Sequence, residues 1–129
     1  MFDWHVRVYF EDTDSGGVVY HSNYLKFMER ARTEWLRSLG IDQSSLKKTD
    51  QMMFVVSKID VNFLKPARFN DELVIKTKTM NIRNVSLWLE QKIYKKDSLL
   101  ISAKVEIACI DASLFKVKKI PLSIKKKWS

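Results

Sequence analysis

Residues Tyr9 to Gly40 read YFEDTDSGGVVYHSNYLKFMERARTEWLRSLG. Two of the chain's three glycines, Gly16 and Gly17, stand together here, after Asp12 and Asp14 and before His21. Beyond them Tyr24, Met28, Ala31, Trp35 and Leu39 recur at intervals of three and four, which places them on one helical face. Leu25 and Leu36 widen that face, while Lys26, Arg30, Glu34 and Arg37 fall largely elsewhere. Ser22 or Asn23 is the expected N-cap and Gly40 the expected left-handed C-cap, so the spacing predicts a helix from about Ser22 or Asn23 to Leu39. The local order is strand, acidic turn, glycine pair, helix start.

A helix with one large apolar face needs a sheet to pack on, and the flanking sequence supplies one. Residues 4–10, WHVRVYF, alternate Val6, Val8 and Phe10 against His5, Arg7 and Tyr9 and read as a first strand. Phe54–Leu64 alternates at Val55, Ile59, Val61 and Phe63, and the Pro66 region ends it. Glu72–Ile82 is a further strand. Arg83-Asn84 then forms the hairpin, with Asn84 the residue that tolerates a positive φ. Val85–Tyr94 places Val85, Leu87, Leu89 and Ile93 on one face, and the turn Lys95–Ser98 follows. Leu99–Ile110 alternates most cleanly, with Ile101, Ala103, Val105, Ile107 and Cys109 facing one way. Phe115–Ile120 adds a last short strand, and Pro121 opens a short terminal helix. Short turns imply antiparallel neighbours. The expected class is α+β, one long helix across an antiparallel sheet.

The chain has 129 residues, which fits one domain spanning 1–129 with a core that needs no disulfide. The single cysteine, Cys109, lies in the apolar run VEIACI and reads as a buried, inert thiol in a reducing compartment. The N-terminus MFDWHVRV lacks the basic and apolar segments of a secretory signal, and no apolar run nears the roughly 20 residues of a membrane span. A cytoplasmic location is the expectation. The net charge of +8 comes mostly from lysine, densest at Lys116, Lys118, Lys119 and Lys125–Lys127. That density is open between a solvated tail, help with a phosphate-bearing ligand, and weak attraction to an anionic lipid surface at the periphery of a membrane. Nucleic acid is not an expected partner, because the lysines are strewn along the strands instead of forming one stripe.

Several motifs are absent. No G-x-x-x-x-G-K-[ST] phosphate loop and no G-x-S-x-G elbow occurs. A calcium loop aligned on Asp12 would have Gly16 and Asn23 in place of acidic ligands, and with two histidines and one cysteine a zinc site has too few donors. No metal and no cofactor is expected. What remains is Asp14, the glycines, His21 and the helix start. From the residues alone two readings stay open. In one, Asp14 merely closes an acidic turn and His21 packs at a helix end. In the other, Asp14 is a nucleophile or general base, and the amides around Tyr20 and His21 stabilise an oxyanion in acyl chemistry.

The segment VRVYFEDTDSGGVVYHSNYLKFMERARTEWLRSLG resembles the acyl-CoA thioesterases of the hotdog fold. It is most similar to the YbgC-like branch, whose genes accompany the Tol–Pal system, within the wider group of 4-hydroxybenzoyl-CoA thioesterases. The likeness continues through FVVSKIDVNFLKPARFNDEL and VEIACID, with Ser15 where relatives often carry alanine. It implies a long central helix packed against a curved antiparallel sheet, and hydrolysis of an acyl-CoA thioester. Asp14 falls on the catalytic carboxylate, and the carbonyl-polarising backbone amide falls on His21, whose side chain is a further candidate. Gly17, Tyr20 and Tyr24 are the substrate-binding candidates that flank them. Homodimers with continuous sheets, and commonly homotetramers, are implied. The active site then lies between subunits, and Phe54, Val55 and Val56 are candidates to reach it from the partner chain. Acyl-carrier protein is an alternative carrier, and a hotdog dehydratase or an acyl-carrier-protein-binding scaffold are alternative functions. Glu29 and Glu34 read as structural, through pairs such as Glu29 with Arg32 and Arg30 with Glu34, with a supporting role left open for Glu29.

Overall fold

The computed structural model describes residues 1–129. Strand β1 (Phe2–Arg7) leads through a single 3-10 turn (Phe10–Asp12) to helix α1 (His21–Ser38), then helix α2 (Gln43–Asp50). Strands β2 (Met52–Phe63), β3 (Glu72–Ile82), β4 (Ser86–Lys95) and β5 (Ser98–Asp111) follow, and helix α3 (Leu122–Trp128) closes the chain. The five strands form one antiparallel sheet in the order β1-β3-β4-β5-β2. This is the expected hotdog arrangement, an α+β domain with the long helix on the sheet.

The helix is held by the face that its spacing marks. Tyr24, Phe27, Met28 and Ala31 share a core cluster with Leu73, Ile75, Ile93, Ile101 and Ala103. Trp35 and Leu36 enter a second cluster with Leu87, Leu89, Val105, Ile107 and Cys109. Each fully buried large side chain contributes roughly 1.5–3 kcal/mol. The inward row of β5 is the predicted one without exception. Cys109 is fully buried, and burial pushes its thiol above the ordinary value while Lys118 draws it down.

Five expectations change. Leu25 is exposed and Phe27 takes its place in the core. β1 starts two residues earlier and stops at Arg7, so Phe10 lies exposed in the 3-10 turn instead of in the strand's inward row. Asn84 does not take a positive φ; Arg83 N–H closes the β3–β4 connection on Ser86 O at 2.8 Å. Residues 115–120 make no strand, only one bridge between Ile110 and Val117. Helix α2 was not foreseen; it is short, buries no residue, and is started by Asp42, whose carboxylate accepts the Ser44 N–H.

The ion pairs also differ. Neither Glu29–Arg32 nor Arg30–Glu34 forms, and Glu34 pairs with Arg37 instead. Arg32 turns inward because a better partner lies there. Its Nη1 donates to Gln91 Oε1 at 2.9 Å, and Gln91 Nε2 donates to Met28 O and to Thr77 Oγ1, both at 3.0 Å. Burial lowers the Arg32 guanidinium from its ordinary value, with Glu29 opposing. This polar knot ties the middle of α1 to β3 and β4. Gln91 is fully buried, in the row read as Leu87, Leu89 and Ile93. Gln91→Leu would keep the bulk but strand Arg32 and Thr77, and urea denaturation should show a loss of about 2–3 kcal/mol. A loss under about 0.5 kcal/mol would mean the knot does not hold the helix.

Candidate active site

The two acids of the turn, two residues apart, have opposite surroundings. Asp12 is only 8% exposed. Its Oδ2 accepts the Tyr9 N–H at 2.8 Å, its Oδ1 accepts the Asn23 side-chain amide at 3.0 Å, and its carbonyl accepts the Tyr20 N–H at 3.0 Å. These bonds set where the helix starts. Tyr20, held extended at φ −63° and ψ 136°, is the N-cap and offers no side-chain cap. The helix therefore begins at His21, ahead of the Ser22 or Asn23 cap that the sequence predicted. Asn23 lies inside the first turn, and its amide clamps Asp12 instead of capping.

Asp14 is exposed. Its Oδ1 accepts one local bond, from Gly16 N–H at 2.8 Å. Its own N–H reaches Val18 O at 2.9 Å, and its carbonyl accepts Gly17 N–H at 3.0 Å. The glycines each have a reason. A Cβ on Gly16 would come within 3.2 Å of Asp14 Oδ1. Gly17 has φ +80°, which a side chain would strain.

A second loop, residues 64–71, braces this turn from below, and the sequence reading saw in it only the end of a strand. Ala67 O accepts the Val19 N–H at 2.9 Å, and Ala67 N–H donates to Tyr24 Oη at 2.9 Å. Val18 bridges Arg68. Asp71 Oδ2 accepts the Arg68 N–H at 2.8 Å, and its Oδ1 meets Lys95 Nζ at 2.9 Å. Burial alone would raise the Asp71 carboxyl, but the Arg68 amide and the Lys95 ammonium outweigh it and hold it below the usual value. The Tyr24 phenol is pushed up by burial, against the Ala67 amide and with help from the Asp71 and Asp14 carboxylates, so it stays protonated. The available signals were Pro66 and the pair Asn70-Asp71; Asn70 takes φ 70°.

Where the turn meets the helix, a cavity of about 280 Å³ is lined by Val19, His21, Tyr24, Phe63, Leu64, Lys65 and Pro66. The His21 ring lies edge-on to Phe63 at 6.5 Å and 4.4 Å from Tyr20. Phe63 is also 5.9 Å from Tyr24. The fold thus brings Tyr20, His21 and Tyr24 together beside the turn that carries Asp14 and Gly17. It does not bring Phe54 there within one chain. Phe54 packs on Trp128 at 5.5 Å and lines a separate cavity of about 120 Å³ with Glu29, Arg32 and Val56. Glu29 Oε1 sits 3.4 Å from Thr33 Oγ1, outside the turn. The largest cavity, about 570 Å³, opens beside Gly40 and Ile41, beyond the far end of α1 from His21.

The first amides of an α-helix have no acceptor within the helix, and its dipole places partial positive charge there. The first turn of α1 carries no acidic side chain to neutralise it. An exposed carboxylate, free helix amides and a partly apolar cavity can together attack, or activate water toward, a polarised carbonyl. No cluster of three His, Cys, Asp or Glu that could hold a metal ion is present.

A sequence profile described as the thioesterase superfamily matches residues 16–102. A protein of Haemophilus influenzae named acyl-CoA thioesterase YbgC is 39% identical over 124 residues, covering 96% of this chain and 91% of that protein. The crystal structure of a probable thioesterase from Bartonella henselae superposes with a TM-score of 0.88 at 39% identity, covering 92% of this chain and 98% of that one. A hypothetical protein from Aquifex aeolicus shares the fold at a TM-score of 0.93 and 24% identity, with both chains fully covered.

The two acids should separate in denaturation experiments. Asp12→Ala strands the Tyr9 amide and the Asn23 side chain and should cost about 1–3 kcal/mol, while Asp14→Asn should stay within about 0.5 kcal/mol of wild type. Asp71 adds a pH dependence. Its folded carboxyl lies below the unfolded value, so its stabilisation is complete above about pH 4 and fades as acid titrates the folded group. Melting curves of Asp71→Asn should therefore lie below wild type at pH 7 and converge with it toward pH 2. A gap that persists undiminished into acid would show that charge is not the cause.

Proposed function

The chain belongs to the thioesterase superfamily, and on that premise we propose that it hydrolyses acyl-CoA thioesters, with Asp14 as the acting carboxylate. The observation that carries this reading is the division of labour between the two acids. Asp12 is enclosed and fully engaged by the fold, whereas Asp14 is presented to solvent in the turn that leads into the helix start, where Val19 and His21 line a cavity of about 280 Å³. The similarity to the acyl-CoA thioesterase of Haemophilus influenzae supports the substrate class.

In the reaction, water and a thioester give a carboxylate and the CoA thiol. The thioester oxygen would lie against the His21 amide, where the helix dipole stabilises the charge that develops on it. Asp14 acts in one of two ways. It attacks the carbonyl carbon, expelling the thiolate and leaving a mixed anhydride that water cleaves, or it takes a proton from the attacking water. Tyr24, held protonated, offers a neutral hydroxyl at the cavity wall. Lys65, which lines the cavity, and the exposed Arg68, which bridges Val18, are the cations this reading assigns to CoA phosphates.

Assembly belongs to the same proposal. Strand β2 lies at one edge of the sheet and exposes Val56, Ile59 and Phe63 along its length. A long apolar edge of that kind invites pairing with another strand. Two copies joined antiparallel through β2 would bring the start of one β2 strand toward the end of the other. Phe54 of one copy would then lie near the Phe63 wall of its partner's cavity. This is the role the sequence resemblance implies for Phe54.

The direct test is thiol release from short, long and aromatic acyl-CoAs and from acyl-carrier-protein thioesters. Asp14→Asn, confirmed folded, should lose at least about 1000-fold in kcat/KM. Equal rates for the variant and wild type would remove Asp14 from the chemistry and move the search to Glu29. If the His21 contribution is its main-chain amide, His21→Ala should fall by less than about tenfold; a drop beyond about 100-fold would assign the imidazole a proton-transfer role. Val56→Lys combined with Ile59→Lys should give a monomer by light scattering with activity lost in parallel.

A further inference from the structure

The last acidic side chain of the protein is Asp111. The residues after it, ASLFKVKKIPLSIKKKWS, carry six lysines and no acid, so six of the eight net positive charges belong to this final segment. The same segment holds a concentration of exposed apolar side chains. Leu114, Phe115, Val117 and Leu122 are 68%, 71%, 68% and 67% exposed. Only Met1 and Phe10 among the large apolar side chains are more exposed than these four.

This exposure is built, not frayed. Asp111 Oδ1 accepts Ser113 N–H at 2.9 Å, Leu114 N–H at 2.9 Å and the Ser113 hydroxyl at 2.7 Å. Phe115 N–H donates to Asp111 O at 2.8 Å, and Asp111 N–H donates to Lys116 O at 2.7 Å. Gln51 holds the loop's other side, its carbonyl accepting Ala112 N–H at 2.7 Å and its Oε1 lying 3.1 Å from Ser113 Oγ. Phe115 takes φ +54°, a left-handed conformation uncommon for an aromatic residue. The hydrogen bonds around Asp111 enforce that turn, and the turn carries Leu114 and Phe115 out to solvent. The following residues turn back along β5, where Lys118 N–H reaches Cys109 O at 2.9 Å.

An exposed apolar tip, braced by the Asp111 carboxylate and followed by six lysines with no further acid, matches the chemistry of an anionic bilayer surface. The apolar side chains would enter the headgroup and acyl boundary, and the ammonium groups would meet lipid phosphates. The tip lies at the opposite end of β5 from Leu100, whose carbonyl accepts the Leu64 and Lys65 N–H, and from Ile101, which shares a core cluster with Val19 and Tyr24. Along the strand that is roughly 33 Å. Contact with lipid there would leave the Asp14 turn of the same chain free.

We propose that the Leu114–Phe115 loop tip, with Val117, Leu122 and the lysines of this segment, is a peripheral docking surface for anionic phospholipid bilayers. The proposal does not depend on the reaction proposed above.

Co-sedimentation of the full chain with vesicles tests it, using phosphatidylcholine alone and phosphatidylcholine mixed with phosphatidylglycerol. The expected result is binding to the mixed vesicles only, weakening as salt is raised. Leu114→Ser with Phe115→Ser should lower the partition coefficient about tenfold, and Lys116→Gln, Lys119→Gln and Lys126→Gln together should do the same. Circular dichroism would confirm that both variants keep the fold. The proposal is overturned if the wild-type chain ignores anionic vesicles. It is equally overturned if the Leu114/Phe115 variant binds them as well as wild type, since the apolar tip would then play no part. If that variant instead changes only the oligomeric state by light scattering, with no vesicle binding in either protein, the tip is a contact between copies of this chain.

Discussion

The enclosed Asp12 carboxylate is the interaction on which the site depends. One oxygen accepts a hydrogen bond from a main-chain amide just past β1, and the other accepts one from a side-chain amide in the first turn of α1. Its own carbonyl holds Tyr20 at the last position before the helix. The acidic turn is thus pinned at both ends, and Asp14 lies between the pins. A carboxylate at such a junction can take its bonds from several donors at once, which a neutral side chain of similar size cannot do as well.

The remaining architecture keeps that junction in place. Loop 64–71 supports it by main-chain bonds to Val19 and by the Tyr24 hydroxyl, and the ion pair of Asp71 with Lys95 ties the loop to β4. Further along α1, the Arg32–Gln91–Thr77 knot fixes the helix's position on the sheet. An apolar face alone specifies that the helix packs, but it tolerates sliding. A buried polar knot has one satisfied geometry, and departure from it leaves donors without acceptors. The start of the helix, and hence the direction of its free amides, follows from these polar constraints.

The glycine pair shows how a turn can be specified by small residues without softening the site. Gly16 makes room for Asp14 Oδ1, and Gly17 supplies the positive φ that reverses the chain. The turn that results is closed by hydrogen bonds from Asp14 N–H to Val18 O and from Gly17 N–H to Asp14 O. The carboxylate keeps a single local bond, so it is oriented and still open to solvent.

Much was legible from residue spacing because it rests on local periodicity. The α1 face, the inward row of β5 and the limits of β3 follow from which side chains repeat at 3.6 or 2 residues. The motif around Asp14 could be read for the same reason: its parts are neighbours in the chain. What failed depended on contacts between distant residues. Leu25 and Phe27 are both apolar, and only the position of the sheet decides which of them is buried. Asn23 looked like a cap, and became a clamp because Asp12 lay within reach. Arg32 was assigned to Glu29 one turn away, yet pairs with Gln91, 59 residues later. The loop 64–71 had no periodicity to announce it. The sequence by itself determined the long helix, the five strands and the place of the acid-bearing turn, since these are encoded by neighbours along the chain. Tertiary structure alone decided which acid is enclosed and which is free, because burial and hydrogen bonding between distant segments are properties of the packed chain.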